Sequence, residues 1–285
     1  MWRAVEGAVG LGMGTVQVFT QAPAQWGVKR TDDGWQGKIL QADVVERWKA
    51  ACGGAGFGVT VVHDSYLINL ASGDADLWGK SVAAFEHEFK RCGQLGVTYL
   101  VTHPGSHLGT GEEAGLRRVV EGLVEVFGRA PDEKTVVCLE VTAGQGTSLG
   151  YRLEHLRDVI RGVEGVNKKW GKRLGVCLDS AHLLAGGYDF RGRKYVGFKR
   201  ELEKTVGVDR VKVWHLNDSK KDLGSRVDRH EHIGLGFVGL EGFKPIVRDK
   251  DWATVPKILE TAKAKHDSGR DWDAINLEVL RSLER

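Results

Sequence analysis

The chain has 285 residues, 41% hydrophobic and 28% charged, with a formal net charge of +3. That is the make-up of an ordinary soluble globular protein. No stretch approaches the ~20 apolar residues of a membrane span, and the mildly basic charge permits a nucleic-acid partner without demanding one. The four cysteines (Cys52, Cys92, Cys138, Cys177) include no C-x-x-C pair, which suits a reducing compartment. Cys92 and Cys138 fall in apolar periodic stretches and read as buried thiols. The opening residues lack the apolar core of a secretory signal. The expectation is a cytoplasmic monomer with no membrane partner.

In chain order, the first pattern is helical, near Trp2–Gly10. Thr15–Thr20 (TVQVFT) then reads as a strand, followed by a helix over Ala42–Cys52 and a strand over Val59–His63. A helix over Ser81–Leu95 carries Val82, Phe85, Phe89, Cys92 and Leu95 on one stripe. The strands Thr98–His103, Thr135–Glu140, Leu174–Asp179, Val211–His215 and Val255–Glu260 follow. Helical patterns separate or follow them at Glu112–Phe127, Tyr151–Val163, Val196–Val206 and Trp272–Leu283. Continuous apolar runs of this length suit parallel strands buried on both faces, and the alternation implies an α/β fold.

The residues His63, His103, Glu140, Asp179, His215 and Glu260 each end a strand. They lie 40, 37, 39, 36 and 45 residues apart. This steady period favours a TIM (β/α)8-type barrel, one domain over residues 1–285, over an open doubly wound sheet. A closed barrel takes eight strands, and the first is lacking at the N-terminus, where a helix opens the chain.

In parallel β/α folds the C-terminal strand ends build the active face. Six successive strand ends here carry His, Glu or Asp. His182 follows Asp179 by three residues, and Asp228 and His230 lie in the loop after His215. These nine residues are five imidazoles and four carboxylates. Such an N/O donor set suits Zn²⁺, with Mn²⁺ or Fe²⁺ as competitors, and nine ligands suit two or three ions. Closely spaced ions serve phosphodiester hydrolysis. Glu140 is the natural bridging carboxylate and Glu260 the group that orients the attacking water; these two are the candidate catalytic residues. His87, His155 and His266 read as solvent-facing. His107 and His232 rank below the nine.

Eight stretches carry a resemblance: HDSYLINL (63–70), HPGSHL (103–108), E-x-TAGQG (140–146), LGVCLDSAH (174–182), GGYD (186–189), HLNDSK (215–220), GSRVDRH (224–230) and ILET (258–261). In that order they resemble the endonuclease IV family of apurinic/apyrimidinic (AP) endonucleases, within the xylose-isomerase-like barrels. The resemblance implies zinc-dependent cleavage of damaged double-stranded DNA on the 5′ side of an abasic site, leaving a 3′-hydroxyl. It implies three Zn²⁺ ions, with Mn²⁺ replacing zinc in part. His63, His103 and Glu140 would hold the first; Glu140, Asp179, His215 and Glu260 the second; His182, Asp228 and His230 the third. Tyr66 would press on the DNA at the lesion, and Arg226 and Arg229 would bind phosphates. Two features depart from the family pattern. The opening strand with its G-x-H-x-S-x-x-G-G signature is not present, and the loop expected to read N-Q-R-Q-W reads Ala22-Pro23-Ala24-Gln25-Trp26. Val141 also stands where the family has Asn. Two other readings compete: a metal-dependent sugar isomerase or epimerase of a related barrel, and an inactive, truncated DNA-binding homologue.

Overall fold

Four of the seven apolar runs pair as parallel strands in the first of two units, which comprises Met1–Leu139 and Arg157–Gly175. The computed structural model describes residues 1–131 and 133–285. In this unit the strands Gln17–Val18, Val61–His63, Tyr99–Thr102 and Val136–Glu140 lie side by side in chain order. Val18 faces Val62, Val62 faces Leu100, and Leu100 faces Val137. Val61, Val62, Leu100, Val101, Val137, Cys138 and Leu139 are completely buried, which is why these strands read as unbroken apolar runs.

The helix Ala75–Leu95 starts six residues before the expected Ser81. Asp74 explains the early start: its side chain accepts from the Leu77 N–H at 2.8 Å and satisfies one of the open donors of the first turn. Gly96 ends the helix in the left-handed conformation, φ 71°. The expected stripe is buried, and Phe85 and Phe89 each contribute about 1.5–3 kcal/mol of apolar burial. The helices Ala42–Ala55 and Glu112–Arg129 form where the periodicity placed them.

An antiparallel hairpin, Val28–Thr31 with Gly34–Gly37, was not evident in the sequence. It packs on the helix Ala75–Leu95, where Lys80 lies 4.1 Å from the ring of Trp26 and 5.0 Å from that of Trp35. His87 is buried under it, not solvent-facing as its helical position suggested. The imidazole occupies the space that a side chain at Gly37 would need. Burial, with Arg91 and Lys90 adding to it, pushes the ring down to about 4, so it sits there neutral.

The second unit comprises Glu140–Leu156 and Val176–Arg285. Val211–His215 lies between the parallel strands Leu174–Asp179 and Lys257–Ile258, with a register shift at Val176/Cys177. Val176, Cys177, Leu178, Val213 and Trp214 form its buried interior, and Trp214 meets Trp252 edge-on at 5.8 Å. A short antiparallel pair, Asp218–Ser219 with His230–Glu231, turns the loop after His215 back on itself. Buried Asp218 gathers the N–H groups of Gly234 (2.9 Å) and Val238 (2.8 Å) around its carboxylate. His155 is a second correction to the solvent-facing reading. It is buried, accepts from the Gly150 N–H at 3.2 Å, and stands edge-on to Tyr151. His266 is partly exposed. All four cysteines are buried, and none forms a disulfide among the described residues.

Candidate metal centre

In the second unit the end of each parallel strand delivers a ligand-type side chain. Glu140 opens the unit, Asp179 ends its strand and caps the helix Ser180–Gly186, and His215 ends the next strand. Glu260 lies two residues beyond Lys257–Ile258. The capping bond, His182 N–H to Asp179 Oδ1 at 2.8 Å, starts a helical turn that brings His182 onto the same side as Asp179. His182 Nδ1 lies 3.1 Å from Glu140 Oε1, and its Nε2 lies 3.2 Å from Asp228 Oδ2. His215 Nδ1 lies 3.2 Å from Glu140 Oε1 and 3.1 Å from Glu260 Oε2. His230 Nε2 lies 3.4 Å from Asp228 Oδ1 and 3.8 Å from Asp179 Oδ2.

Two groups of ligand atoms therefore come within 4.8 Å of one another: Glu140–Asp179–His215–Glu260 and Asp179–His182–His230. The second group differs from the set implied by the resemblance in holding Asp179, with Asp228 beside both imidazoles.

The chemistry of these groups fits a divalent cation. His230 Nε2 is buried and has no hydrogen-bond partner among the described residues, although two carboxylates approach it. His182 Nδ1 lies 3.0 Å from the Val141 carbonyl, an arrangement that orients Nε2 as a ligand atom. Burial favours the neutral form of His182, but the carboxylates of Asp179, Asp228 and Glu140 reverse this and hold it well above the usual histidine range. His215 is raised in the same way against its own burial, by Cys177, Glu260 and Glu140. Carboxylates that draw protons onto buried imidazoles demand positive charge, and a divalent cation supplies it while leaving the rings neutral.

Three neighbours were not singled out from the sequence. Asn217, fully buried, donates to Asp179 Oδ2 at 2.5 Å and accepts from the Glu260 N–H at 2.8 Å, so it fixes two carboxylate-bearing residues at once. Gln145 Oε1 accepts from the Asp228 N–H at 3.1 Å. The Cys177 thiol joins Glu140 and His215 in a further group, which an all-N/O reading left out. Only tertiary placement reveals these three; the nearest sequence signal was Asn217, two residues past a strand-end histidine.

In the first unit His63 and His103 meet ring to edge at 5.2 Å. His63 Nδ1 lies 2.9 Å from the Asp64 carbonyl, and Thr102 holds the Asp64 carboxylate at 2.6 Å. Tyr66 is 63% exposed, with its ring 5.5 Å from Phe19 and 5.8 Å from His63. His107 serves its own loop: Nδ1 accepts from the N–H groups of Gly109 and Gly111. In the second unit Arg226 and Arg229 are exposed. Arg226, at φ 52°, stacks 4.3 Å over Tyr151, and Arg229 donates to the Asp228 carbonyl at 2.6 Å.

With this geometry in place, the comparisons fall into line. The family model for the xylose isomerase-like TIM barrel matches residues 5–283. A relative from Citrifermentans bemidjiense named "Probable endonuclease 4" is 42% identical over 284 residues, 99% of this chain and 94% of its own. One of the same name from Chloroflexus aggregans is 44% identical over 276 residues, 96% and 91% of the two chains. The crystal structure of endonuclease IV from Thermus thermophilus superposes with a TM-score of 0.82 at 35% identity, covering 99% of this chain and 93% of that one. D-psicose 3-epimerase, at 15% identity and a TM-score of 0.66, shares the fold. The fold is thus the expected β/α barrel class, with seven parallel strands among the described residues. No helix is long and apolar enough to cross a membrane among those residues. The chain belongs to the endonuclease IV family, within the xylose isomerase-like TIM barrels, and is an enzyme of the phosphodiesterase class.

Proposed function

We propose that this enzyme hydrolyses the DNA phosphodiester on the 5′ side of abasic sites, leaving a 3′-hydroxyl, with zinc as its metal. The observation that carries the reading is the Glu140–Asp179–His215–Glu260 group, buried except at Glu260, with His182, His230 and Asp228 packed against it, in a chain whose relatives are named "Probable endonuclease 4". Those seven side chains would hold metal. His63 and His103, set ring to edge in the first unit, are the other two imidazoles among the nine candidates. Bound divalent ions activate a water and neutralise charge on a phosphoryl group.

The chain's own residues do the rest. Glu140, with one oxygen facing both His182 and His215, is placed to serve two positions at once. Glu260, whose side chain is 22% exposed, keeps a solvent-facing carboxylate to orient a water and take its proton. The water oxygen bonds to phosphorus, the P–O3′ bond breaks, and the 3′ oxygen receives a proton. Tyr66 offers an exposed ring to the gap in the stack, and an abasic nucleotide costs less to extrude than an intact one. Arg226, steadied on Tyr151, and Arg229 would meet phosphates. The family model over residues 5–283 supports reading residues 1–285 as one domain, acting as a monomer in the cytoplasm.

A duplex carrying one abasic analogue tests the reading. Metal-dependent incision with a 3′-hydroxyl product is expected, together with about three zinc ions per chain, Mn²⁺ substituting in part. Binding without incision would favour an inactive DNA-binding protein. Interconversion of a ketose with no incision would favour a sugar isomerase.

A further inference from the structure

The C-terminal helix Trp272–Leu283 buries only two side chains, Leu280 and Asn276. Leu280 is ordinary for an inward face. Asn276 is not: it is 1% exposed, a poor helix former, and a polar group whose burial costs free energy unless it is paired. It is paired by two segments at once. Its Oδ1 accepts from the Ile233 N–H at 3.0 Å, and its Nδ2 lies 3.2 Å from His232 Nδ1. The same Nδ2 donates to Thr261 Oγ1 at 3.0 Å. His232 is further held by stacking on Trp272, one helical turn before Asn276, at 3.8 Å and 6°.

The segments so joined are those of His230 and Glu260. Residues 232 and 233 lie two and three positions past His230, after Glu231, and Thr261 adjoins Glu260. The two segments also meet on their other side, where His230 Nδ1 lies 3.4 Å from the Glu260 carbonyl. The Asn276 amide thus ties the Thr261 side chain to the His232–Ile233 segment.

We propose that Asn276 is a positioning residue for the metal centre, locking the His230 and Glu260 segments in one register so that both side chains reach their ligand groups. This rests on the metal-dependent reading above. Outer partners of metal ligands typically cost about 10- to 100-fold in metal affinity or activity when lost, and Asn276 acts on two ligand candidates together.

Asn276→Leu removes the amide while keeping an apolar residue of similar size, and Leu280→Ala on the same helix serves as a control for lost packing. Ions retained after dialysis against a chelator, kcat and KM on an abasic duplex, and Tm are measured for both variants and the parent. Asn276→Leu is expected to retain fewer ions and to lose about ten-fold or more in kcat, with KM little changed. Leu280→Ala should lower Tm while keeping the parent's ions and kcat. In case Asn276→Leu folds poorly, Thr261→Val deletes one partner only; it should shift retention and kcat the same way, and Thr261→Ser should restore both. Full metal retention and kcat in Asn276→Leu or Thr261→Val, or losses in Leu280→Ala that match them, would overturn the proposal. A parent that binds no metal would overturn the metal-dependent reading and this inference with it, whereas a metal-binding parent with an indifferent Asn276→Leu would overturn this inference alone.

Discussion

The carboxylate–imidazole cluster of the second unit and the loop Thr20–Trp26 of the first are held in place in opposite ways. In the cluster, side chains also fix side chains: Asn217 holds the Asp179 carboxylate as well as the Glu260 backbone, and Glu140 faces two imidazoles. In the loop, side chains hold backbone. The Ser65 hydroxyl lies 2.8 Å from the Pro23 carbonyl and 2.9 Å from that of Gln25, the Tyr66 N–H donates to Pro23, and Arg91 donates to the carbonyls of Thr20 and Lys38. A carbonyl does not report which side chain its residue carries. The loop can therefore keep its path with Ala24 at a position where the resemblance leads one to look for arginine. The cluster has less latitude, because its contacts among Asn217, Asp179, Glu140, His182 and His215 each name a residue type.

The largest effect that sharpens this contrast is Glu260→Gln. An isosteric loss of the proton acceptor should lower single-turnover incision by about 10³-fold while leaving the affinity for an abasic duplex within about two-fold. Equal losses in both would show that Glu260 serves binding as much as chemistry. Next comes Asn217→Leu, which should reduce metal affinity or activity about 10- to 100-fold. Titration with a competing chelator reads this directly, and parent-like affinity would show that the cluster holds its own geometry.

These differences also explain what could be read in advance. Leu174–Asp179 and Val211–His215 have the bounds that their apolar runs indicate, because interior strands are buried on both faces. Gln17–Val18 and Lys257–Ile258 are shorter than their runs: each pairs on one side only, and pairing ends sooner. The hairpin Val28–Thr31/Gly34–Gly37 escaped notice because its residues are mostly polar and exposed, which leaves no alternation to detect. Six of the nine ligand candidates could be picked out because a regular period puts strand ends at regular spacing; His182, Asp228 and His230 were picked out by their place after Asp179 and in the loop after His215. Asn217 and Asn276 were not, since a buried amide differs from a surface one only in its tertiary partners. His87 and His155 misled for the same reason.

Glu88 is the point at which the loop resembles the cluster. It is a buried carboxyl that accepts from the Thr20 hydroxyl. Burial, with Asp64 adding to it and the Thr20 hydroxyl opposing, pushes it up to about 7 from an ordinary 4.5. The native state then holds a proton that the unfolded chain releases between those values, so stability falls as pH rises from about 4.5 to about 7. The full shift corresponds to an order-of-magnitude ceiling of about 3 kcal/mol. Glu88→Gln has nothing to titrate. Urea unfolding at pH 5 and pH 7.5 should show the variant gaining on the parent by about 1–3 kcal/mol across that interval. A difference that stays constant with pH would mean that Glu88 ionises freely, and that the loop's anchor at Thr20 does not depend on its protonation.

The smallest effect tests the loop side of the contrast. Tyr66 is exposed, and its backbone rather than its ring is tied to Pro23. Its ring meets Phe19 edge-on and His63 at a tilt. Removing it should spare stability and metal content and act on substrate binding alone. Tyr66→Ala is expected to raise KM about ten-fold, the scale of one lost aromatic contact to a nucleic acid, with kcat unchanged. Tyr66→Phe should behave like the parent, because on the proposed reading the ring face and not the hydroxyl would fill the gap left by a missing base. A fall in kcat at unchanged KM would show instead that Tyr66 acts through His63, whose ring it touches. Because Phe19 braces both rings, Phe19→Leu separates the two cases: it should reproduce the Tyr66→Ala rise in KM if the brace serves the substrate, and lower metal retention if it serves His63.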